Sequence, residues 1–84
     1  MILRWKRHAK ENYGRGSVYS DAIKDYNITQ TINEIPICEF KVPLNEENLT
    51  RFDVENFIQN QYGTFVIKQI SIENNNWINV YSVG

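Results

Sequence analysis

Alternation of apolar and polar residues limits what this chain can fold into more than any other feature. Tyr26, Ile28 and Ile32 lie at even positions, and the odd positions between them hold Asn or Thr. A period of two places successive side chains on opposite faces of a β-strand. Cys38 and Phe40 continue the same pattern further along the chain, with Glu39 between them. The sequence therefore predicts strands rather than helices.

The alternating segments fall into two neighbouring pairs. Asn33-Glu34 separates a strand at residues 26–32 from a second strand at residues 35–42, in which Pro36 marks the start or an edge. A third strand at residues 64–72 is rich in β-branched residues and ends at three consecutive asparagines, which precede a fourth strand at residues 77–83. Asparagine tolerates the left-handed backbone of tight turns. We therefore predict two antiparallel hairpins, with an open edge at the second.

One segment is ambiguous. Val54, Phe57 and Ile58 have the i, i+3, i+4 spacing of a helix, and Asp53 is a candidate cap. A strand is the alternative for the same residues, and the preceding residues 43–50 are predicted to be a polar turn. The predicted fold class is mainly β, either an antiparallel sheet or a small barrel-like domain with two hairpins, and at most one short helix. The residues predicted to form the core are Ile28, Phe40, Val42, Ile67, Ile70 and Val80.

Charge divides the chain unevenly. Residues 1–16 carry five basic side chains and one acidic one, a net +4, whereas residues 17–84 carry four basic and nine acidic ones, a net −5; together these give the formal charge of −1. At 84 residues the chain is long enough for one domain and too short for two. We predict a single β-rich domain over residues 1–84, with a basic arm and loop at 1–16 and an acidic body at 17–84.

The basic arm is the first candidate for partner binding. Leu3 and Trp5 alternate with charged neighbours, which fits a short edge strand or an arm that packs on the acidic body or on another subunit. The body supplies exposed aromatic candidates, because Trp and Tyr are enriched at protein interfaces. The residues predicted to bind partners are Leu3, Arg4, Trp5, Arg7, Trp77 and Tyr81.

Catalytic and metal-binding signatures are missing from the sequence. His8 and Cys38 are the only imidazole and the only thiol, and Cys38 is predicted to face inward. The acidic residues Glu46, Glu47 and Asp53 lack the spacing of a calcium loop. No glycine-rich phosphate loop is present either. The sequence predicts no enzyme, no metal and no cofactor.

The cysteine count and the apolar segments of the sequence predict the compartment in which the chain is made. With Cys38 as the only cysteine, no internal disulfide can form. Met1-Ile2-Leu3 is followed at once by charged residues rather than by an apolar signal segment, and no stretch approaches the roughly 20 apolar residues of a membrane span. We expect synthesis without a signal peptide in a reducing cytoplasm, and no membrane partner.

Three blocks of sequence resemble a known family. They read Asp-Tyr-Asn-Ile-Thr-Gln-Thr-Ile-Asn at residues 25–33, Cys-Glu-Phe-Lys-Val-Pro at residues 38–43, and Gly-Thr-Phe-Val-Ile-Lys-Gln-Ile at residues 63–70. Together they resemble the N-terminal region of phage and prophage minor structural proteins. These are tail-tip or baseplate-hub proteins, also called tail endopeptidase or tail-associated lysin proteins. The resemblance spans a little over half of the chain.

The resemblance implies a β-rich first domain that assembles into a ring at the tail tip and contacts other tail proteins. It implies no enzyme activity in this piece, because the lytic domains of the longer family members lie further along the chain. The expected location is the virion tail, or the host cytoplasm before assembly. The sequence thus favours a non-catalytic assembly module with protein partners, including copies of itself. The alternative is a small nucleic-acid-binding β-barrel that uses the basic arm.

Overall fold

A computed structural model describes residues 4–7 and 23–84 of the chain. The strands of these residues form one antiparallel sheet with the spatial order β1-β4-β5-β6-β3-β2. The secondary structure of the described residues confirms a mainly β fold with one short helix. The elements are β1 (Arg4–Lys6), β2 (Lys24–Thr29), β3 (Ile37–Pro43), α1 (Glu46–Arg51), β4 (Phe57–Asn60), β5 (Gly63–Glu73) and β6 (Trp77–Val83).

Both predicted hairpins are present, and a further strand pairing joins them into one sheet. β2 pairs with β3, and β5 pairs with β6. β3 also pairs with β6 over seven residues, from Ile37 opposite Val83 to Pro43 opposite Trp77. This pairing places β6 inside the sheet, so the open edge of the second hairpin lies on β5, whose residues 68–73 have no second strand partner among the described residues. Among the described strands, β1 and β2 form the edges, and β5 pairs with β4 only over Gly63–Val66.

The N-terminal strand is part of the same sheet. Arg4, Trp5 and Lys6 lie opposite Gln59, Ile58 and Phe57 of β4. The alternation around Trp5 therefore does mark an edge strand, as predicted. Its strand pairing is within the chain, on the body rather than on another subunit.

The helix lies earlier in the sequence than predicted. Asn45 caps α1, since its side-chain Oδ1 accepts a hydrogen bond from the backbone N–H of Asn48 at 2.8 Å. Glu46 and Glu47 occupy the first turn and Arg51 the last, which suits the helix dipole. Residues 43–50 are therefore not simply a polar turn. The apolar spacing after Asp53 belongs to strand β4, the alternative left open above.

The end of the helix explains why it does not continue into residues 53–58. The side-chain amide of Asn56 donates hydrogen bonds of 3.0 Å to the backbone carbonyls of Thr50 and Arg51, which would otherwise lack partners. Glu55 has a positive φ of 71°, outside the helical region. The chain thus turns sharply at Glu55 and enters the sheet.

The core lies between one face of the sheet and the segment that contains α1. Four of the predicted core residues are buried, whereas Ile28 and Ile70 are half-buried and pack against the core. Phe52, just after α1, meets Phe40 edge-to-face with 5.5 Å between the ring centroids. No helix in the described residues is long and apolar enough to cross a membrane. The buried apolar residues are Cys38, Phe40, Val42, Phe52, Ile58, Phe65, Ile67, Ile78 and Val80.

The turn between β5 and β6 follows the asparagine prediction. Asn74 and Asn75 have positive φ values of 52° and 57°, and the N–H of Asn76 donates to the carbonyl of Glu73 at 3.0 Å. Two consecutive residues with positive φ characterise the type I′ turn, whose twist matches that of the flanking strands. Asparagine accepts this backbone, and glycine accepts it with less strain.

We expect Phe40→Ala to lower the free energy of unfolding by about 3–5 kcal/mol, because it removes a buried ring that contacts Phe52. Urea denaturation measures the change. Tyr62→Ala is the control, since the Tyr62 side chain is 56% exposed, and it should change stability by less than about 0.5 kcal/mol. Equal losses in the two variants would contradict the assigned core.

The turn provides a second test. Asn75→Gly should raise the free energy of unfolding by about 1 kcal/mol, because it relieves the left-handed strain. Asn75→Val should lower it by at least a similar amount, since a β-branched residue is strained at positive φ. Thermal unfolding of both variants checks the ordering, and a Val variant as stable as the Gly variant would contradict the type I′ turn.

Candidate partner-binding surface

Three of the predicted partner-binding residues lie at the β1 edge. Arg4 is exposed, whereas Trp5 is half-buried and packs against the core. The guanidinium carbon of Arg7 lies 5.9 Å from the Trp5 ring centroid, within the range of a cation–π contact. Leu3 lies outside the described residues. Trp5 therefore belongs to the core face of the sheet rather than to the opposite face.

Trp77 and Tyr81 lie elsewhere, on strand β6 near the middle of the sheet. They share the face opposite the core, because residues two apart on a strand point the same way and Ile78 and Val80 between them are buried. The Nζ atom of Lys24 lies 4.8 Å from the Trp77 ring centroid. The structure thus separates the predicted residues into an edge group and a group on this opposite face, which we call the outer face.

Cross-strand neighbours make most of the outer face polar. Tyr81 lies between Glu39 of β3 and Gln69 of β5, and Asn79 lies between Lys41 and Ser71. All of these residues except Lys41 line a shallow depression of about 210 Å³. The aromatic, carboxylate and amide groups around the depression make this part of the outer face polar and able to form hydrogen bonds.

The charge on this polar part is balanced. Lys41 Nζ lies 2.8 Å from Glu73 Oε2 and 3.3 Å from Asp25 Oδ2. Hydrogen bonds to Glu73 and then Asp25 raise the pKa of Lys41. The hydrogen bond to Lys41 likewise lowers the pKa of Glu73. Because two carboxylates already neutralise Lys41, this region offers no excess positive charge to a phosphate group.

A different row crosses the same face and is apolar. Ile37 of β3, Val83 of β6, Val66 of β5 and Phe57 of β4 lie opposite one another in register, and each is half-buried. We call these four residues the outer apolar row. Lys6 of β1 ends it, with its Nζ atom 5.3 Å from the Phe57 ring centroid.

Sequence reasoning missed the outer apolar row, although a signal was present. Phe65-Val66-Ile67 and Phe57-Ile58 are consecutive apolar residues, which indicate strands with apolar side chains on both faces. We interpreted the first run only as strong β-propensity and the second as helix spacing. Which residues share the row depends on register, which the sequence does not display.

A buried polar cluster lies on the core face. The side-chain amide of Asn60 donates to the Tyr26 hydroxyl at 2.6 Å and approaches Cys38 Sγ at 3.8 Å. Ser82 Oγ donates to the Cys38 carbonyl at 2.8 Å. Burial is the main cause that raises the pKa values of Tyr26 and Cys38. A buried thiol with a raised pKa is a poor nucleophile, so we interpret this cluster as structural.

The acidic metal-site candidates from the sequence do not converge in the part of the chain that the structure describes. Within residues 4–7 and 23–84, no group of three His, Cys, Asp or Glu side chains is placed to hold a metal ion. Glu47 instead lies 3.4 Å from Arg51 on α1, and Glu55 lies 3.1 Å from Lys68. His8 lies outside the described residues.

Comparison of the chain with family models, with curated proteins and with solved structures finds no match in any of the three.

The buried cluster predicts alkaline sensitivity. Tyr26 and Cys38 are acids whose neutral forms the folded state favours, so their contribution is complete below the ordinary pKa values of 9.0 and 10.0 for thiol and phenol. That contribution is lost as the pH rises above those values, because the unfolded chain releases the protons first.

We therefore expect the free energy of unfolding to fall between about pH 8 and about pH 11. Tyr26→Phe should make this fall shallower, although it lowers stability at neutral pH by leaving the Asn60 amide without its partner. Tyr81→Phe is the matched control, because it removes a half-buried phenol from the outer face. Urea titrations at each pH measure the slopes, and identical slopes in Tyr26→Phe and the unmodified protein would contradict the role of Tyr26.

Proposed function

We propose that this domain is a non-catalytic structural module of a phage-type tail, positioned at the tail tip or baseplate hub. One correspondence supports this most directly. The three blocks that resemble the tail-tip family fall on β2, β3 and β5, and each is a strand of the same sheet. A family with a β-rich first domain requires these blocks to be strands of one fold.

The chemistry of the described residues is consistent with an assembly role. Cys38, the only thiol, is buried on the core face, and its raised pKa disfavours the thiolate that a nucleophile needs. Trp77 instead lies half-buried on the outer face, where an aromatic ring with a polar N–H suits a protein contact. Binding through packed aromatic and apolar side chains is the mode that a permanent assembly uses.

The proposed location can be tested on particles. Induction of the prophage in the organism that carries the gene should yield particles whose tail tips are labelled by gold-conjugated antibody against this chain. Labelling confined to tail tips is the expected result. Denaturing electrophoresis checks that the chain is expressed. If it is expressed and the tails remain unlabelled, the proposal is overturned.

Incorporation provides the fourth prediction. Trp77→Ala should reduce the amount of this chain in purified particles, because it removes the largest aromatic side chain of the outer face. Tyr62→Ala is the control, since it removes an exposed aromatic from the β4–β5 turn. Quantitative immunoblots of purified particles compare the two, and equal incorporation would exclude Trp77 as a contact.

The basic edge supports a second candidate function. The edge strand β1 and the residue after it carry three basic side chains, Arg4, Lys6 and Arg7. Two of them, Lys6 and Arg7, lie over aromatic rings. Such a combination is also found where proteins bind single-stranded nucleic acid. On the outer face, by contrast, Lys41 is neutralised by Asp25 and Glu73. The basic residues thus lie at one edge, and this is the weaker of the two proposals.

Salt dependence separates the two functions. Titration of a labelled oligonucleotide at about 50 mM and about 200 mM salt would show a steep loss of affinity if several phosphates were bound, because counterions are released on binding. We expect no binding at either concentration. Micromolar or tighter binding at the lower salt, abolished by Arg4→Ala with Arg7→Ala, would instead establish the nucleic-acid function.

A further inference from the structure

The outer apolar row is unusual because the rest of its face is polar. Antiparallel sheets commonly pack one face on the core and leave the other to water, with polar residues on the wet side. Glu39, Gln69, Asn79 and Ser71 fit that rule. The outer apolar row breaks it across four adjacent strands, at the end of the sheet where Ile37 begins β3. Exposed Ile32 and Ile35, at 89% and 66%, extend the apolar surface at that end.

We propose that the outer apolar row is a self-association surface, against which a second copy of this chain packs its own outer apolar row. The inference deepens the proposed function, since it identifies another copy as one partner of the assembly module. Two sheets packed face to face are a common two-layer arrangement, and inner-face side chains then interdigitate. A symmetric dimer needs a surface that is complementary to itself.

The order of the strands makes the row self-complementary. Val83 and Val66 lie on the two central strands, with Ile37 and Phe57 on the next strands outward. A two-fold axis parallel to the strands, between β6 and β5, places Val83 over Val66 of the second copy. The same axis places Ile37 over Phe57. Each residue of the row therefore faces an apolar residue of the second copy, and one two-fold rotation produces all four contacts.

Charge supports the same axis. Rotation about it exchanges the sheet edges, so the β1 edge of one copy lies over the β2 edge of the other. Arg4 is exposed at the β1 edge, opposite Gln59. Glu34 is exposed in the turn between β2 and β3, at the other edge. The rotation thus brings exposed Arg4 of one copy to the side of the other copy that carries exposed Glu34, and this opposite charge favours a second copy over an unrelated apolar surface.

The size of the face sets the expected affinity. Six strands spaced about 4.8 Å apart span about 24 Å, and strands of seven residues run for about 23 Å. Contact over this area is about 550 Å² for each copy, which lies at the small end of specific interfaces. We therefore expect a dimer that dissociates in the micromolar range and that further tail contacts would reinforce.

Sedimentation equilibrium over a range of protein concentrations tests the proposal. The full chain should show a reversible monomer–dimer equilibrium, and Val66→Lys should raise the dissociation constant at least about tenfold, because it buries a charge in the centre of the row. Leu49→Lys is the control, since Leu49 is exposed on α1, on the opposite side of the sheet from the outer face. It should leave the constant within about twofold.

A second variant distinguishes weaker association from misfolding. Val66→Thr keeps the β-branched shape and should raise the dissociation constant by a smaller factor, with an unchanged circular dichroism spectrum. A chain that sediments as a monomer at all concentrations would overturn the proposal. So would a dimer that Val66→Lys and Leu49→Lys weaken equally, because the outer apolar row would then not be the contact.

Charge reversal tests the axis itself. Arg4→Glu should raise the dissociation constant about fivefold at low salt, and Glu34→Arg in the same chain should restore it. No restoration would exclude the strand-parallel axis. The inference and the proposed function can fail separately. A monomer that still labels tail tips overturns only the dimer, whereas a dimer that is absent from tails overturns only the tail function.

Discussion

The pairing of β3 with β6 is the interaction on which the rest of the structure depends. Each hairpin is formed by residues close in sequence, but an isolated two-stranded hairpin is only marginally stable in water. The seven-residue register between β3 and β6 joins residues about 40 positions apart and merges the hairpins into one sheet. Phe40 and Val80 lie opposite each other in it, so the same pairing that closes the sheet also assembles the core. Formation of this long-range contact therefore carries a loop-closure cost that neither hairpin has.

The parts of the fold that local chemistry determines could be predicted from the sequence. Alternation located β2, β3 and β6, and the asparagine run located the turn before Trp77, because period and turn chemistry act over a few residues. The edge of the sheet could not be predicted in this way. Whether β6 ends the sheet or lies inside it depends on whether β3 pairs with it, and no local pattern in residues 77–83 indicates that pairing. The outer apolar row depends on register in the same way.

The helix illustrates a different limit. Asn45 followed by Glu46 and Glu47 is an N-terminal capping signal, yet α1 has too few apolar residues for periodicity to indicate a helix. Its formation depends on contacts from outside the helix. Asn48 donates to the carbonyl of Pro43 at 2.8 Å, and Asn56 donates to the last carbonyls. Asparagines that composition assigns to loops are thus buried, with Asn48 and Asn56 exposed by only 3% and 7%. The Asn56 amide thus satisfies the last carbonyls of a helix that propensity alone would not form, and the Asn48 amide ties that helix to the end of β3.

The two faces of the sheet divide folding from binding. α1 and Phe52 cover the core face, so its residues contribute to stability and offer little to a partner. Trp5 is an example, because it packs against the core and lies opposite Ile58 of β4; its contact with a partner stays a prediction. The outer face contributes less to the core, because its apolar residues are half-buried and most of its other residues are polar. A small domain with a thin core gains stability when such a face is covered by another layer. The outer apolar row is the part of that face where a second layer would remove apolar surface from water across four adjacent strands, which is the physical basis of the self-association proposed above.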